Sequence, residues 1–121
     1  MVQTLQLNES SLAKEINLLA GREGKDANAV LEEAVRHYIG LYRQRRIRSE
    51  TEAWYRFPVA VRQQYAGKYV AMFDYQIVDS DTDQMKLFHR VYDKYEGQPV
   101  AIIEGGDQPM PTYRITSVKA A

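Results

Sequence analysis

Polar and apolar positions alternate near the N-terminus and then change to a helical spacing. Leu5 and Leu7 are separated by polar neighbours, which is the two-residue period of a strand with one buried face, so residues 2–8 are predicted to form a strand. A lone strand leaves its backbone N–H and C=O groups unpaired, and no segment of the next about 45 residues resembles a partner strand. The partner strand is therefore expected to come from a second chain.

Two amphipathic helices are predicted after this strand. Apolar residues recur at helical spacing over residues 12–20, directly after polar side chains that can cap a first helical turn. Gly24 is expected to end this helix, and Asp26 is expected to cap a second helix that continues to about Ser49. One side of the second helix is apolar and is formed by Val30, Leu31, Ala34, Val35, Tyr38, Leu41 and Tyr42.

The second half of the chain predicts a small α+β domain. Phe57-Pro58 is expected to end the preceding element, because the residue before a proline avoids the helical region. The pattern then predicts a short helix over 59–65, strands over 69–73 and 76–80 joined at Asp74-Tyr75, a helix over 82–95 capped by Ser80 or Asp81, a strand over 99–104 and a last strand over 113–116. This ββαβ-like order predicts one helix packed over one sheet.

Aromatic residues separate the two halves of the chain. Eleven of the thirteen lie between Trp54 and Tyr113, and none precedes Tyr38. Because this difference indicates two separate cores, we expect one domain over residues 1–48 and a second over residues 52–121. Between them lies a basic run that comprises Arg43, Arg45, Arg46 and Arg48. One interpretation is that it contacts DNA phosphates or an acidic partner. The other is that it is the solvated end of a helix.

The order strand, helix, glycine turn and helix over residues 2–46 resembles the ribbon-helix-helix DNA-binding family of the Arc, MetJ and CopG type. The matching segments are the strand Thr4–Leu7, the cap region Asn8–Ser10, the turn Gly24–Asp26 and the helix Ala27–Tyr38. The resemblance implies a β-α-α fold in which two chains pair their strands into an antiparallel ribbon and form an intertwined dimer. It also implies that outward side chains of the ribbon enter the major groove of DNA.

Four DNA-contact residues follow from this resemblance. Thr4 and Gln6 alternate with the inward leucines, so they are expected to face the bases, and a glutamine can bond adenine through two hydrogen bonds. Lys25 and Asn28 lie at the start of the second helix, where free N–H groups favour a phosphate.

The second half carries a resemblance of its own. The run Y-A-G-K-Y-V-A-M-F-D at residues 65–74, followed by I-V-D-S-D at residues 77–81, resembles a small bacterial domain of unknown function, which implies no activity. The aromatic residues just before it are expected to belong to the core of this domain, and the alternative is an exposed cluster that binds a partner. They are Trp54, Tyr55 and Phe57.

An acidic triplet in this half has the spacing that begins a calcium-binding loop. Asp79, Asp81 and Asp83 match the first ligands of an EF-hand, but Gln84 and Arg90 stand where the loop requires Gly and Glu. The interpretation that remains is a group of acids that interact favourably with the N-terminus of a helix.

The other candidates for chemistry also fail on spacing. His37 and His89 have no Asp or Ser at triad-like spacing, so both are expected at the surface or the edge of a core. Gly105-Gly106 follows a strand as a phosphate loop would, but no helix that starts with Lys-Ser or Lys-Thr follows it, so we expect a turn. We therefore predict no catalytic residue, no cofactor and no metal site, and we do not expect an enzyme.

Composition narrows the classes of protein further. The chain has no cysteine, which excludes disulfides, thiol catalysis and thiolate metal sites. Its 121 residues contain neither a signal-peptide pattern nor an apolar run near the roughly 18–20 residues of a membrane span, so a cytoplasmic protein without a membrane partner is expected. The formal net charge is +0, so any binding to nucleic acid has to depend on local groups.

The combined expectation is a homodimeric, sequence-specific bacterial DNA-binding protein, either a transcriptional regulator or the antitoxin of a toxin–antitoxin pair. Its expected partners are double-stranded DNA and a second copy, with a toxin protein or a small ligand as candidates for the C-terminal domain. The alternative is a protein-interaction module whose N-terminal half only dimerises and does not bind DNA. That alternative is favoured by the neutral net charge, by the lack of Lys or Arg before Lys14, and by Asp26 near the expected phosphate.

Overall fold

The computed structural model describes residues 4–112, and the chain divides into two compact units, Met1–Tyr42 and Arg43–Ala121. Helix α2 begins in the first unit and ends in the second. The start of the predicted N-terminal strand and the predicted last strand over 113–116 lie outside the described residues. The helices are α1 (Ser10–Glu23), α2 (Ala27–Arg56), α3 (Val59–Gln63) and α4 (Gln84–Tyr95), and the strands are β1 (Tyr69–Phe73), β2 (Gln76–Asp81) and β3 (Ala101–Glu104).

The predicted N-terminal β-α-α ribbon is wrong. Residues 4–9 carry no regular secondary structure and are followed by two helices, so the ribbon-helix-helix fold does not describe this chain. The physical reason is hydrogen bonding, because the sheet of the described residues pairs β1 with β2 and β3 and no strand pairs with residues 4–9. Leu5, which the alternation placed on a buried face, is 82% exposed.

The ends of the two N-terminal helices follow local chemistry. Gly24 has a φ of 66° and ends α1 in the left-handed conformation, as predicted. Helix α2 does not end near Ser49 but continues to Arg56. It stops where Phe57 precedes Pro58, which is the first strong helix-breaking signal after the glycine turn.

The second unit contains a three-stranded antiparallel sheet in the order β2-β1-β3. Successive residues of the central strand point to opposite faces. Val70 and Met72 pack with Trp54 of α2 on one face, whereas Ala71 packs with Leu87 of α4 on the other. The sheet therefore has a helix on both faces rather than the single helix that was predicted, and the core position predicted for Trp54 is confirmed.

The hairpin between β1 and β2 turns at Asp74 and Tyr75, as predicted. Both residues lie in the left-handed region, with φ values of 50° and 64°. Two successive positive φ angles define a type I′ turn, which suits the twist of paired strands but favours Asn and Gly. A non-glycine residue in this conformation costs roughly 1–2 kcal/mol, so other contacts are needed to stabilise the turn.

Helix α4 begins slightly later than predicted. Its N-cap is Asp83 rather than Ser80 or Asp81, and the carboxylate accepts two backbone N–H groups of the first turn at 3.0 and 3.1 Å. The helix ends at Glu96, which has a φ of 51°, directly before Gly97. The predicted stop at Gly97 is confirmed.

Candidate functional site

The first unit exposes far more apolar surface than it buries. Among its described residues, the buried hydrophobic side chains are Ala20 and Val30. Burial of apolar surface stabilises by about 25 cal/mol per Å², so a surface of this extent favours association with another molecule. The exposed large hydrophobic residues of this unit are Leu5, Leu7, Leu12, Leu18, Leu19, Val35, Tyr38, Ile39, Leu41 and Tyr42.

Part of this surface is a straight stripe along the first half of α2, which we call the α2 seam. It consists of Leu31, Val35, Tyr38 and Tyr42, which are spaced four, three and four residues apart. This spacing keeps the four side chains on one face of a helix. Tyr38 is 65% exposed and lies near the middle of the seam.

The four predicted DNA-contact residues are all exposed, and two of them lie together. Gln6 and Asn28 line one groove of about 320 Å³, whereas Thr4 and Lys25 do not belong to its lining. Lys25 forms an exposed ion pair with Glu33, with an N–O distance of 3.4 Å. Because such a pair is worth about 0–1 kcal/mol, the ammonium group can readily exchange this carboxylate for a phosphate.

The basic run lies inside α2 and is followed by eight more helical residues. The interpretation that placed it at the end of a helix is therefore wrong. Arg46 and Arg48 pair with carboxylates one turn further along, with N–O distances of 3.0 and 3.9 Å. Arg43 and Arg45 are exposed and form no ion pair with the part of the chain that the structure describes. Half of the run is therefore engaged within the chain.

A buried carboxylate that the sequence analysis missed stabilises the hairpin turn. Glu50 is fully buried and accepts hydrogen bonds from Nη2 of Arg46 at 3.0 Å and from the backbone N–H of Tyr75 at 2.7 Å. Arg46 also donates to Oη of Tyr75 at 2.9 Å and to Oδ1 of Asp74 at 3.2 Å. The available signal was the i, i+4 spacing of Arg46 and Glu50, which does not show that the pair is buried.

An arginine of α4 forms ion pairs with two of the three acids of the triplet. Arg90 donates to both carboxylate oxygens of Asp79 at 2.8 and 3.0 Å and to Asp81 at 2.8 Å. Its hydrogen bonds lower the pKa of Asp79, and the backbone N–H of Asp83 together with Arg90 lowers the pKa of Asp81. The two carboxylates in turn raise the pKa of Arg90. The cluster ties α4 to β2.

Arg62 of α3 holds the segment that follows β3 in place. Its guanidinium is buried and donates to the carbonyls of Gly106 at 3.4 Å and Gln108 at 3.0 Å. Gly105 lies against the backbone of Tyr65, so that a Cβ at this position would collide with it. Gly105-Gly106 is therefore a packed connection and not a phosphate loop.

The second unit also contains a groove along α2 with a volume of about 460 Å³. Among the described residues, its lining has no acid and no histidine, and its arginine, Arg48, is paired with Glu52. A pair of groups for acid–base chemistry is therefore lacking in this groove. The lining residues are Gln44, Ile47, Arg48, Thr51 and Met110.

The two histidines lie at the surface, as predicted. Both are exposed, and the ring of His89 packs edge-on against Phe88 with 5.7 Å between the ring centres. Within residues 4–112, no group of three His, Asp or Glu side chains is arranged to hold a metal ion. In the same range, no helix has both the length and the apolar character needed to cross a membrane.

Comparison of the chain with protein-family models, with curated proteins and with solved structures finds no match. Among the surfaces described above, the apolar surface of the first unit is the most extensive.

Proposed function

We propose that this protein is a homodimer-forming interaction protein and that its first unit is the self-association module. The observation that carries the proposal is the contrast between two buried hydrophobic side chains, Ala20 and Val30, and the many that are exposed in the same unit. A unit limited to Met1–Tyr42 is near the size below which a single chain rarely buries enough surface to be stable alone. Association supplies the missing apolar contacts.

The charges around the apolar surface favour a second copy as the partner. Glu32 flanks Leu31 at one end of the seam, and Arg43 follows Tyr42 at the other end. A surface that carries both signs can complement itself when two copies meet through a two-fold axis. A strongly acidic or basic partner would be matched at only one of the two ends.

Light scattering coupled to size-exclusion chromatography tests the proposal at micromolar concentration. The expected mass is twice 14.0 kDa. Tyr38→Asp is expected to shift the protein to the monomer mass, because it places a carboxylate in the centre of the apolar surface. Tyr92→Asp is the matched control, since Tyr92 of α4 is 58% exposed and lies in the second unit. A folded monomer for the unsubstituted protein would overturn the proposal.

A second candidate function is DNA binding in a bacterial cytoplasm, as a transcriptional regulator or an antitoxin. The observation that favours it is the groove at the start of α2, which Gln6 and Asn28 both line. Amide side chains of this type can bond base edges, and a dimer would present the groove twice. Under this proposal the second unit is free to bind another partner, such as a toxin protein.

A salt series with DNA from upstream of the protein's own gene tests this second function. Affinity should fall steeply with salt if phosphates are neutralised. Gln6→Ala should remove the preference for this DNA over random DNA, whereas Lys25→Ala should weaken both alike and flatten the salt dependence. Wild-type binding by both variants, or no binding to either DNA at low salt, would rule out this surface as a DNA-binding site.

A further inference from the structure

The spacing of the α2 seam is the same in both directions. Leu31, Val35, Tyr38 and Tyr42 are separated by four, three and four residues, so the pattern is unchanged when the helix is reversed. Val35, Tyr38 and Tyr42 are exposed, and Leu31 is half-buried. A stripe with this symmetry can face its own reversed copy without a shift in register.

We propose that two copies pair through the α2 seam in antiparallel orientation, with the two-fold axis between Val35 and Tyr38. This inference rests on the proposed homodimer and adds its geometry. The arrangement sets Leu31 against Tyr42 of the second copy and Val35 against Tyr38 of the second copy. Each tyrosine ring then meets an aliphatic side chain, as interlocking helices require. A parallel pair would instead place tyrosine on tyrosine twice.

A groove at one end of the seam fits this geometry. Leu31, Glu32, Val35 and Arg36 line an open groove of about 290 Å³. Packed helices insert a side chain of one into a hole formed by four residues of the other. In the antiparallel pair, the side chain that lies over this groove is Tyr42 of the second copy, and its ring can cover the aliphatic parts of the lining while its hydroxyl stays near water.

Charge also distinguishes the two orientations. Glu32 flanks the start of the seam, where it forms an exposed ion pair with Arg36 at 3.4 Å, and Arg43 flanks its end. Glu33 lies on the opposite face of the helix. An antiparallel pair brings the acidic end of each helix towards the basic end of the other and opposes the two helix dipoles. A parallel pair brings acid against acid at one end and arginine against arginine at the other.

The lack of cysteine makes disulfide trapping a direct test, because an introduced cysteine is the sole thiol of the chain. Leu31→Cys and Tyr42→Cys chains with different tags are co-expressed, purified as the mixed dimer and oxidised. Bond formation requires Cα atoms within about 4.4–6.8 Å. The mixed dimer is expected to be trapped, whereas neither variant should be trapped with itself, because a rise of 1.5 Å per residue separates these positions by roughly 16 Å.

A second pair of cysteine variants and a control variant make the result of the trapping experiment unambiguous. Val35→Cys mixed with Tyr38→Cys should also be trapped, which guards against the failure of one variant to fold. His37→Cys lies at the level of the axis but off the seam, and it should remain reduced. Trapping of each seam variant with itself would overturn the proposal in favour of a parallel pair. A dimer of twice the chain mass with no trapping at any seam position would exclude pairing through the α2 seam but not the proposed homodimer. A monomer would exclude both proposals.

Discussion

The backbone N–H of Tyr75 donates to the buried carboxylate of Glu50 at 2.7 Å, so a side chain of α2 stabilises the strained turn of the β1–β2 hairpin. Tyr75 is held with a φ of 64°, a conformation that persists in non-glycine residues only where surrounding contacts determine it. Arg46 completes the arrangement by neutralising Glu50, and its guanidinium lies 4.9 Å from the centre of the Tyr75 ring.

Replacement of Glu50 by alanine should lower the free energy of unfolding by about 1–3 kcal/mol, because the part-buried N–H group of Tyr75 loses its acceptor. Urea denaturation monitored by the fluorescence of Trp54 measures the change. Glu52→Ala is the control on the same helix, since its ion pairs are long, at 3.8 and 3.9 Å, and should change the value by less than about 0.5 kcal/mol. Equal losses in the two variants would show that Glu50 does not stabilise the turn.

The same change to glycine should have opposite effects at two positions near the end of α4. Glu96→Gly should stabilise the protein by roughly 1 kcal/mol, because Glu96 is exposed and left-handed, with a φ of 51°. Lys94→Gly should destabilise by about 1 kcal/mol, because Lys94 has helical geometry two residues earlier. Thermal melting of both variants gives the two signs, and a destabilised Glu96→Gly variant would contradict the strain argument.

The stabilising effect of Arg90 should depend on pH in the acid range. Arg90 helps to hold the pKa values of Asp79 and Asp81 below 3.8, so the associated stability is fully present above the unfolded pKa and is lost as the pH falls through the folded pKa. Arg90→Ala should therefore differ from wild type at pH 7, and the difference should shrink below about pH 4.

Chemical denaturation at a series of pH values measures this difference. Arg56→Ala serves as the control, because its nearest carboxylate lies 3.8 Å away and both groups are well exposed. A gap between wild type and Arg90→Ala that stays constant down to pH 2 would show that Arg90 acts through packing and not through the charge of Asp79 and Asp81.

The second unit should fold alone only if it keeps its part of α2. A fragment that starts at Arg43 retains Glu50 and Trp54 and should melt in one cooperative transition. A fragment that starts at residue 52 keeps Trp54 but loses Glu50, and its melting temperature should be lower. Differential scanning calorimetry compares the two, and identical melting temperatures would show that residues 43–51 contribute nothing to this unit.

The elements of the second unit could be predicted because their signals are local. Asp74 and Tyr75 interrupt two β-rich runs, and Gly97 follows a run of apolar residues at helical spacing. The inner face of that helix was predicted only in part, because the buried residues are Leu87 and Val91 whereas the spacing indicated Met85, Phe88, Val91, Tyr92 and Tyr95. The packing of α2 on the sheet was not predicted. Its second half is mostly polar or charged, and a single tryptophan, Trp54, supplies its largest buried surface. Such a segment has the composition of a linker.

The candidate site could be predicted from the sequence less completely than the second unit. The alternation of Leu5 and Leu7 records a preference for a strand, but a strand also requires hydrogen-bonding partners that periodicity cannot provide. The apolar stripe over Leu31 and Tyr38 was visible in the sequence, whereas its exposure was not. The structural roles of Glu50 and Arg62 were likewise hidden, because burial of a charged residue depends on partners that are distant in sequence.

The central position of β1 leaves β2 and β3 each with one outer edge that pairs with no other strand among residues 4–112. Such edges can recruit strands from other molecules and extend into aggregates. On β2, this growth is opposed by the charges of Asp79 and Asp81 and by the irregular register opposite Ala71 and Met72. β3 is only four residues long and is preceded by Pro99. Both edges are thus poorly suited to fibre-like assembly, which leaves the helical surface of the first unit as the place for the proposed contact between copies.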